Sequence, residues 1–521
     1  MSQMLKSSGS VALATLLSRI LGLLRVMVYA HFMGTGLIAS AFTYAYTIPN
    51  LFRRLLGEGA LTAAFIPHFK EKEKLEGDQA MWRSANAVIC ALFIVTTAVV
   101  LILIVVTSLL IHSGWLQVKT ALMLDLLRVM APYLILVCFA AVCMGMLNSR
   151  GHFFVPSLGS CLLNIIMIAS VFFIAPHLGA TLEKQVFGLA IGVVLAGFAQ
   201  ALYQMPWLRR DGFRLQWVNP WTHPSVKHVG RQMIPGIMGV AAFQLNIMVS
   251  QGVGYWVADH VVATFECAVR LMELPQGLFG VSMAVYLLPT LSGLATDKNY
   301  DLFRSTLQDG WSYVLVTNML AMSLLIVLGE PIVRLLFERG SFDALSTERV
   351  SRALLFLAPS LVAYSSVNIL ARAFYALGDT QTPTRISIGC LVLNLFLTLV
   401  FIWPLQESGM GFANSATSFF NAGMLMFALR KKMGRFDFQP IKEALWKLTI
   451  AGLLSAGLAG WVSRTWHSHF GHITLNSRIG HVVVPTLAAT ILYLVACWLL
   501  KVHHAKHLLE RAASGLRRLL K

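Results

Sequence analysis

Long apolar runs recur along the whole chain, separated by short polar connections. Fourteen of them predict helices near 9–33, 37–56, 85–111, 120–147, 154–176, 186–208, 232–257, 261–292, 309–329, 350–376, 384–404, 410–430, 443–463 and 480–500. About 20 apolar residues cross the ~30 Å hydrocarbon layer as a helix, so each run is long enough to span. The runs 99–110 and 483–500 are the cleanest, while the first two and the eighth are less apolar. The fold class that follows is an all-α polytopic membrane protein with about fourteen transmembrane helices. Composition removes the alternatives. Apolar residues make up 57% of the chain and charged residues only 12%, and the mean hydropathy is +0.70. A water-soluble fold needs roughly twice that share of charge. Disorder needs the reverse balance.

Charge gives an orientation. The net charge is +18, yet the basic residues fall mostly in connections between apolar runs. No nucleic-acid module is visible, so the excess reads as membrane-surface charge. With the N-terminus inside, the tails and even-numbered connections hold 28 of the 41 Lys/Arg residues, and the outer connections hold eight. Both termini are therefore expected on the cytoplasmic side of the membrane. The outer cluster from Arg334 to Arg352 is discordant and predicts a short amphipathic segment on the outer surface. No connection is long enough for an inserted soluble catalytic domain, so no enzyme is expected. The seven cysteines all lie in apolar stretches without a C-x-x-C pair, which predicts core residues and no metal site. His467, His469 and His472 read as a solvated outer loop.

An internal repeat is visible. Pro67 in AFIPHF and Pro289 in YLLPTL are offset by 222 residues, and Pro176 and Pro404 by 228. Pro156 with Asn164 matches Pro383 with Asn394 at offsets of 227 and 230. Six spans per half is an even number, so both halves enter from the same side. The pseudo-two-fold axis then runs along the membrane normal. The expected domains are an N-terminal lobe, 1–220, and a C-terminal lobe, 221–435, of six spans each. Two further helices fill 436–503, and a basic cytoplasmic tail, 504–521, would lie on anionic lipids.

The candidate chemistry is cationic. Arg19 and Arg25 lie within span 1, and an arginine at mid-depth costs ~2.5 kcal/mol or more unless it faces protein or water. Ser18 shares a helix face with Arg25. Span 2 contains Pro49, which can permit a bend, and ends in Arg53, Arg54 and Glu58. In span 8, Glu266, Arg270 and Glu273 form one polar stripe, followed by Pro275, Gly277 and Gly280, where the backbone can yield. This stripe reads either as a self-neutralised structural feature or as part of a site. Guanidinium forks suit phosphate and pyrophosphate oxygens. A cleft between the lobes lined by Arg19, Arg25, Arg53 and Arg270, with Glu58, Glu273 and Ser18 beside them, would favour an anionic ligand.

The segments SRILGLLR, IPNLFRRLLGEGALTAAFIP, VRLMELPQGLFGVSMAVYLLPTLS and FYALGDTQTPTR closely resemble the MurJ (MviN) family of bacterial lipid II flippases, within the MOP exporter superfamily. The resemblance covers essentially the whole chain. It implies two six-helix lobes plus two helices that form a lipid-tail groove. It also implies movement of the lipid-linked disaccharide-pentapeptide to the outer leaflet for peptidoglycan synthesis and cell shape. By motif, Arg19, Arg25, Arg53, Glu58, Arg270 and Glu273 match the family's cavity residues. Val26, Ser40 and Val269 stand where relatives often carry acids. No cofactor is expected, and coupling to the membrane potential or to a monovalent cation stays open. Cell-wall synthesis proteins are further candidate partners. The alternatives are a flippase for another undecaprenyl-linked glycan or a multidrug exporter of the same superfamily.

Overall fold

A computed structural model describes residues 2–55, 61–434 and 437–502. The candidate Glu58 and the basic tail 504–521 lie outside the described residues. Every described element is a helix, and each of the fourteen apolar runs is helical. Eight helices are long and apolar enough to cross a membrane, or ten when each of two bent pairs counts as one span. The remaining four runs are shorter, interrupted or richer in polar residues. The helix Leu37–Phe52 has 16 residues. Pro224–Val257 carries Arg231, Gln244, Asn246 and Gln251. Val261–Pro275 is separated from Ser282–Thr296 by a π turn. Glu407–Met433 carries Asn414 and Asn421.

The chain divides into two compact units, Met1–Ala263 and Thr264–Lys521. The division falls one helix beyond the basic connection where the sequence placed a lobe boundary, because Pro224–Val257 is tied into the first unit. Thr47 donates to the Gln251 amide oxygen at 2.7 Å. The Lys119 ammonium pairs with Asp259 at 2.9 Å and lies 4.8 Å over the Tyr255 ring. The first unit packs around Phe42, Leu127, Tyr133, Met167 and Val193. A second cluster gathers Phe65, Phe69, Trp82, Met146 and Phe213. The second unit packs around Trp311, Phe374, Leu429 and Tyr493. The hairpin of Gln439–Phe470 and Leu475–Leu499 docks there on Tyr300–Val327, where the Tyr493 hydroxyl donates to the Val316 carbonyl at 2.8 Å.

Each unit carries the same two interruptions. Val118–Met130 and Tyr133–Ser149 meet at 42°, and Ala344–Leu357 and Ser360–Ala376 meet at 43°. Pro132 and Pro359 sit at these breaks, each following an alanine. Proline lacks the N–H that a continuous helix needs and clashes with the preceding turn. The sequence repeat was legible from other prolines, but this pair was missed. The second interruption follows Pro49 and Pro275, where the chain widens into π turns at 53–55 and 276–281.

Local charge patterning explains two further features. The Lys/Glu-rich stretch after Phe69, expected as an inner connection, is helical as far as Glu76. Lys70 pairs with Glu73 at 2.7 Å, Lys72 pairs with Glu76, and Arg150 also reaches Glu73. Such i,i+3 and i,i+4 pairs support a helix. Gly77 ends it with φ 83° and ψ 175°, a conformation that essentially only glycine adopts. In the second unit one of the arginines that looked discordant, Arg334, is compensated. A short helix, Gly329–Phe337, places Arg334 between Glu330 and Glu338 at 2.6 and 3.1 Å. Arg478 donates to the Glu338 side chain at 3.1 Å and to its carbonyl at 2.9 Å.

The three histidines expected in an outer loop are not a simple solvated loop. His467 stacks on His472 at 5.1 Å and on His481 at 5.7 Å. Burial, then Arg334 and His467, push the His472 imidazole below its usual range, against an opposing pull from Glu338. The folded state therefore prefers neutral His472. This contribution is full above the unfolded value of ~6.5 and is lost as pH falls through the lowered one. Between pH 7.5 and 5.5, the Tm of the parent is expected to fall further than that of His472→Gln. Parallel Tm curves would contradict it.

Candidate functional site

In the first unit the site begins with span 1, Ser2–Met33. Span 1 packs on Gly159–Phe173. The Asn164 amide donates to the Ser18 carbonyl at 3.3 Å, and the Cys161 thiol contacts the Ala14 carbonyl at 3.6 Å. These contacts fix the rotation of span 1 and with it the direction of Arg25. Ser18 thus takes part through its backbone, and its side chain is half-buried. Arg25 is only 7% exposed. Its Nη1 donates to the Met167 sulfur at 3.3 Å, and its guanidinium lies 5.9 Å over the Tyr46 ring. Tyr46 stacks parallel to Phe42 at 6.3 Å, and Tyr29 meets Phe42 edge-on. Among the described residues no carboxylate lies within ion-pair distance of Arg25. A thioether and an aromatic face are weak partners for a full charge, so the guanidinium retains donors for an anion. Arg19 is half-buried on the same helix.

Span 2 places Arg53 and Arg54 in the π turn after Pro49, both half-buried. The Arg53 Nε donates to the Asn50 amide oxygen at 2.9 Å. Ser40 is fully buried. Its hydroxyl accepts from the backbone N–H of Ala263 at 3.3 Å. That N–H lies in the first turn of Val261–Pro275, where helix donors have no intrahelical partner. A neutral hydroxyl satisfies it without adding charge.

In the second unit Arg270 is already engaged. Its Nε and Nη2 donate to Glu266 at 3.0 and 2.9 Å, and its Nη1 donates to Glu273 at 2.8 Å. The three side chains are about one-quarter to two-fifths exposed, so this is a wet cluster of net charge −1. The charge of Arg270 is therefore already compensated in this state, and Arg270 is not an open anion site as it stands. Five residues beyond Arg270, Pro275 leads into the π turn Gln276–Val281. There Gly280 packs so closely that a Cβ would stand 2.7 Å from the Ser365 hydroxyl.

The structure thus places Ser18, Arg19, Arg25 and Arg53 in the first unit and Arg270 with Glu273 in the second. Sequence reasoning missed Met167, Tyr46 and Asn164. The first two come to Arg25 from other spans, and no local pattern signals such contacts. Asn164 was noted only as a repeat marker. Among the described residues no group of three His, Cys, Asp or Glu side chains is placed to hold a metal ion. All seven cysteines are buried and unpaired.

A family profile described as Lipid II flippase MurJ matches residues 29–479. A probable lipid II flippase MurJ of Vibrio cholerae serotype O1 is 32% identical, over 94% of this chain and 96% of its own. A lipid II flippase MurJ of Burkholderia cenocepacia is 31% identical, over 86% and 88%. Among solved structures, a lipid II flippase MurJ in an inward closed conformation matches with a TM-score of 0.79, at 22% identity, over 94% of this chain and 98% of that one. An inward-facing multidrug resistance MATE family transporter of the MOP superfamily matches with a TM-score of 0.66, at 14% identity, over 80% and 94%. These two likenesses concern the fold.

Proposed function

The chain belongs to the MurJ family of lipid II flippases, and from that premise we propose that it carries the lipid II headgroup from the cytoplasmic to the outer leaflet by alternating access. It is a multi-pass membrane transporter, not a catalyst. The observation that carries the reading is Arg25, a guanidinium buried within a span with no described carboxylate beside it. A charge held that way is costly at rest and is relieved when a diphosphate supplies the counter-charge. Arg19, on the same helix, adds a second fork, and Arg53 draws the anion from the inner face. In the second unit the diphosphate competes with Glu273 for Arg270. Glu273 then acts as the counter-ion that holds the arginine while no substrate is present.

The excess of basic connections supports both termini in the cytoplasm, and the basic tail would rest on anionic lipids. A headgroup bearing several negative charges, moving outward, would gain ~2.3 kcal/mol per charge per 100 mV of inside-negative potential. Coupling to that potential or to a monovalent cation would then drive the cycle.

The test is reconstitution of the purified protein in vesicles with headgroup-labelled lipid II. A protein-dependent change in headgroup accessibility, inhibited by excess unlabelled lipid II, is the expected result. Accessibility equal to that of protein-free vesicles would remove the proposal.

A further inference from the structure

The connection between the sixth and seventh spans is a rigid strap. The short helix Met205–Arg210 ends at Gly212, φ 96°, and Phe213 is buried against Trp82 at 5.4 Å. The chain then runs without regular secondary structure through Asn219. Asn86, on the long helix that ends at His112, is 2% exposed and spends its whole amide on this segment and its own helix. Its Nδ2 donates to the Arg214 carbonyl at 2.9 Å and to the Trp82 carbonyl at 3.1 Å, and its Oδ1 accepts from the Gln216 N–H at 3.0 Å. The Cys90 thiol contacts the Gln216 carbonyl at 3.9 Å. An Asn219 side chain that accepts from the Trp221 N–H, and a buried Pro220, fix the far end.

Of the side chains this strap displays, Arg210 lies 5.2 Å over the Trp207 ring, and the large apolar ones are left to the surface. Leu215, Trp217 and Trp221 are 61, 70 and 77% exposed. Arg209, Arg210 and Arg214 are exposed beside them, with Asp211 as the acid in the same stretch. The helix beneath gives the depth. Arg83 is exposed and charged, and Phe93 is the first large apolar residue that the helix exposes after it. The ten steps from one to the other rise ~15 Å at 1.5 Å per residue. Asn86 and Cys90, which hold the strap, fall between these markers. There the helix passes from a charged to an apolar surface, which is where the headgroup layer is expected.

We propose that residues 209–221 form a built surface anchor for anionic phospholipid. The indoles of Trp217 and Trp221 lie among the headgroups, where amphipathic rings are favoured. The guanidinium groups of Arg209, Arg210 and Arg214 take the lipid phosphates. The anchor holds the first unit to the membrane surface at a fixed height, through backbone bonds that a flexible loop would lack.

The experiment uses the full-length protein in bilayers that mix phosphatidylglycerol with phosphatidylcholine, one lipid brominated at a time. Quenching assigned to the strap is the difference between the parent and Trp217→Phe/Trp221→Phe. Brominated phosphatidylglycerol is expected to quench these indoles about twofold or more above brominated phosphatidylcholine. In Arg209→Gln/Arg210→Gln/Arg214→Gln the two lipids should quench equally. Two results would overturn the proposal. One is equal quenching by both lipids in the parent. The other is indoles reached by aqueous acrylamide and by neither lipid, which would mark a strap that faces the cytosol or a protein partner. The readout does not involve transport, so it stands or falls apart from the flippase reading.

Discussion

Arg25→Ala is expected to abolish headgroup translocation while leaving the fold as stable as the parent or more so. The two outcomes have one cause. Arg25 is buried within a span, and its described contacts are a methionine sulfur at 3.3 Å and an aromatic ring at 5.9 Å. Neither repays the desolvation of a full charge, which costs about 2.5–3.5 kcal/mol at the centre of a spanning helix. Removing the guanidinium removes that cost and leaves a small void beside Met167, so the Tm should hold or rise. The diphosphate loses a charge-assisted bond of about 1.5–3 kcal/mol. That is about a 10- to 100-fold loss of substrate affinity, before any effect on the moving step. Arg25→Lys keeps the charge but not the planar fork and should fall between. The paired measurement is the Tm in detergent against flux in lipid II vesicles. A large drop in Tm on Arg25→Ala would assign the residue a structural role instead.

How far the sequence reaches can be seen at these same residues. Arg19, Arg25 and Arg270 were legible as candidates because a charge inside an apolar run carries a cost that must be offset. The partners were legible only where they are local. Glu266 and Glu273 lie one turn either side of Arg270, so the spacing alone allowed the cluster, although not that both acids engage at once. Met167 reaches Arg25 across 142 positions of sequence, and no periodicity points to it. That the apolar runs are helical was legible from their length, although eight to ten of them pass as spans by length and composition. The bends at Pro132 and Pro359 were not, because a proline within an apolar run can end a span or merely kink it. The outer arginine cluster looked discordant because charges were counted by sign alone. Glu330 and Glu338 cancel much of it once the short helix places them on either side of Arg334. The strap over Asn86 left no trace in hydropathy, since its order comes from one side-chain amide bonding backbone 128 and 130 residues away.

Arg270→Ala should also abolish translocation, but with the opposite effect on stability. Here the arginine is the cation of a cluster that it shares with two carboxylates on its own helix. Its removal leaves Glu266 and Glu273 on one helix face without it. Breaking a fully buried pair costs about 3–5 kcal/mol, and exposed pairs contribute about 0–1 kcal/mol. With side chains 26–40% exposed, a loss of about 1–2 kcal/mol is expected. The repair separates structure from transport. Arg270→Ala/Glu266→Gln/Glu273→Gln removes the stranded charges and should regain most of that stability, yet it has no guanidinium to offer and should stay inactive. If the triple variant recovered both stability and flux, Arg270 would be a structural counter-ion and the diphosphate would have no partner in the second unit. Glu273→Gln alone supplies the complementary reading. With one competitor neutralised, Arg270 is freer to engage an anion, so lipid II should bind more tightly. Release should slow, because the carboxylate that reclaims the arginine is gone. The expected result is a lower Kd with reduced flux, and an unchanged Kd would show that Glu273 does not compete for the guanidinium.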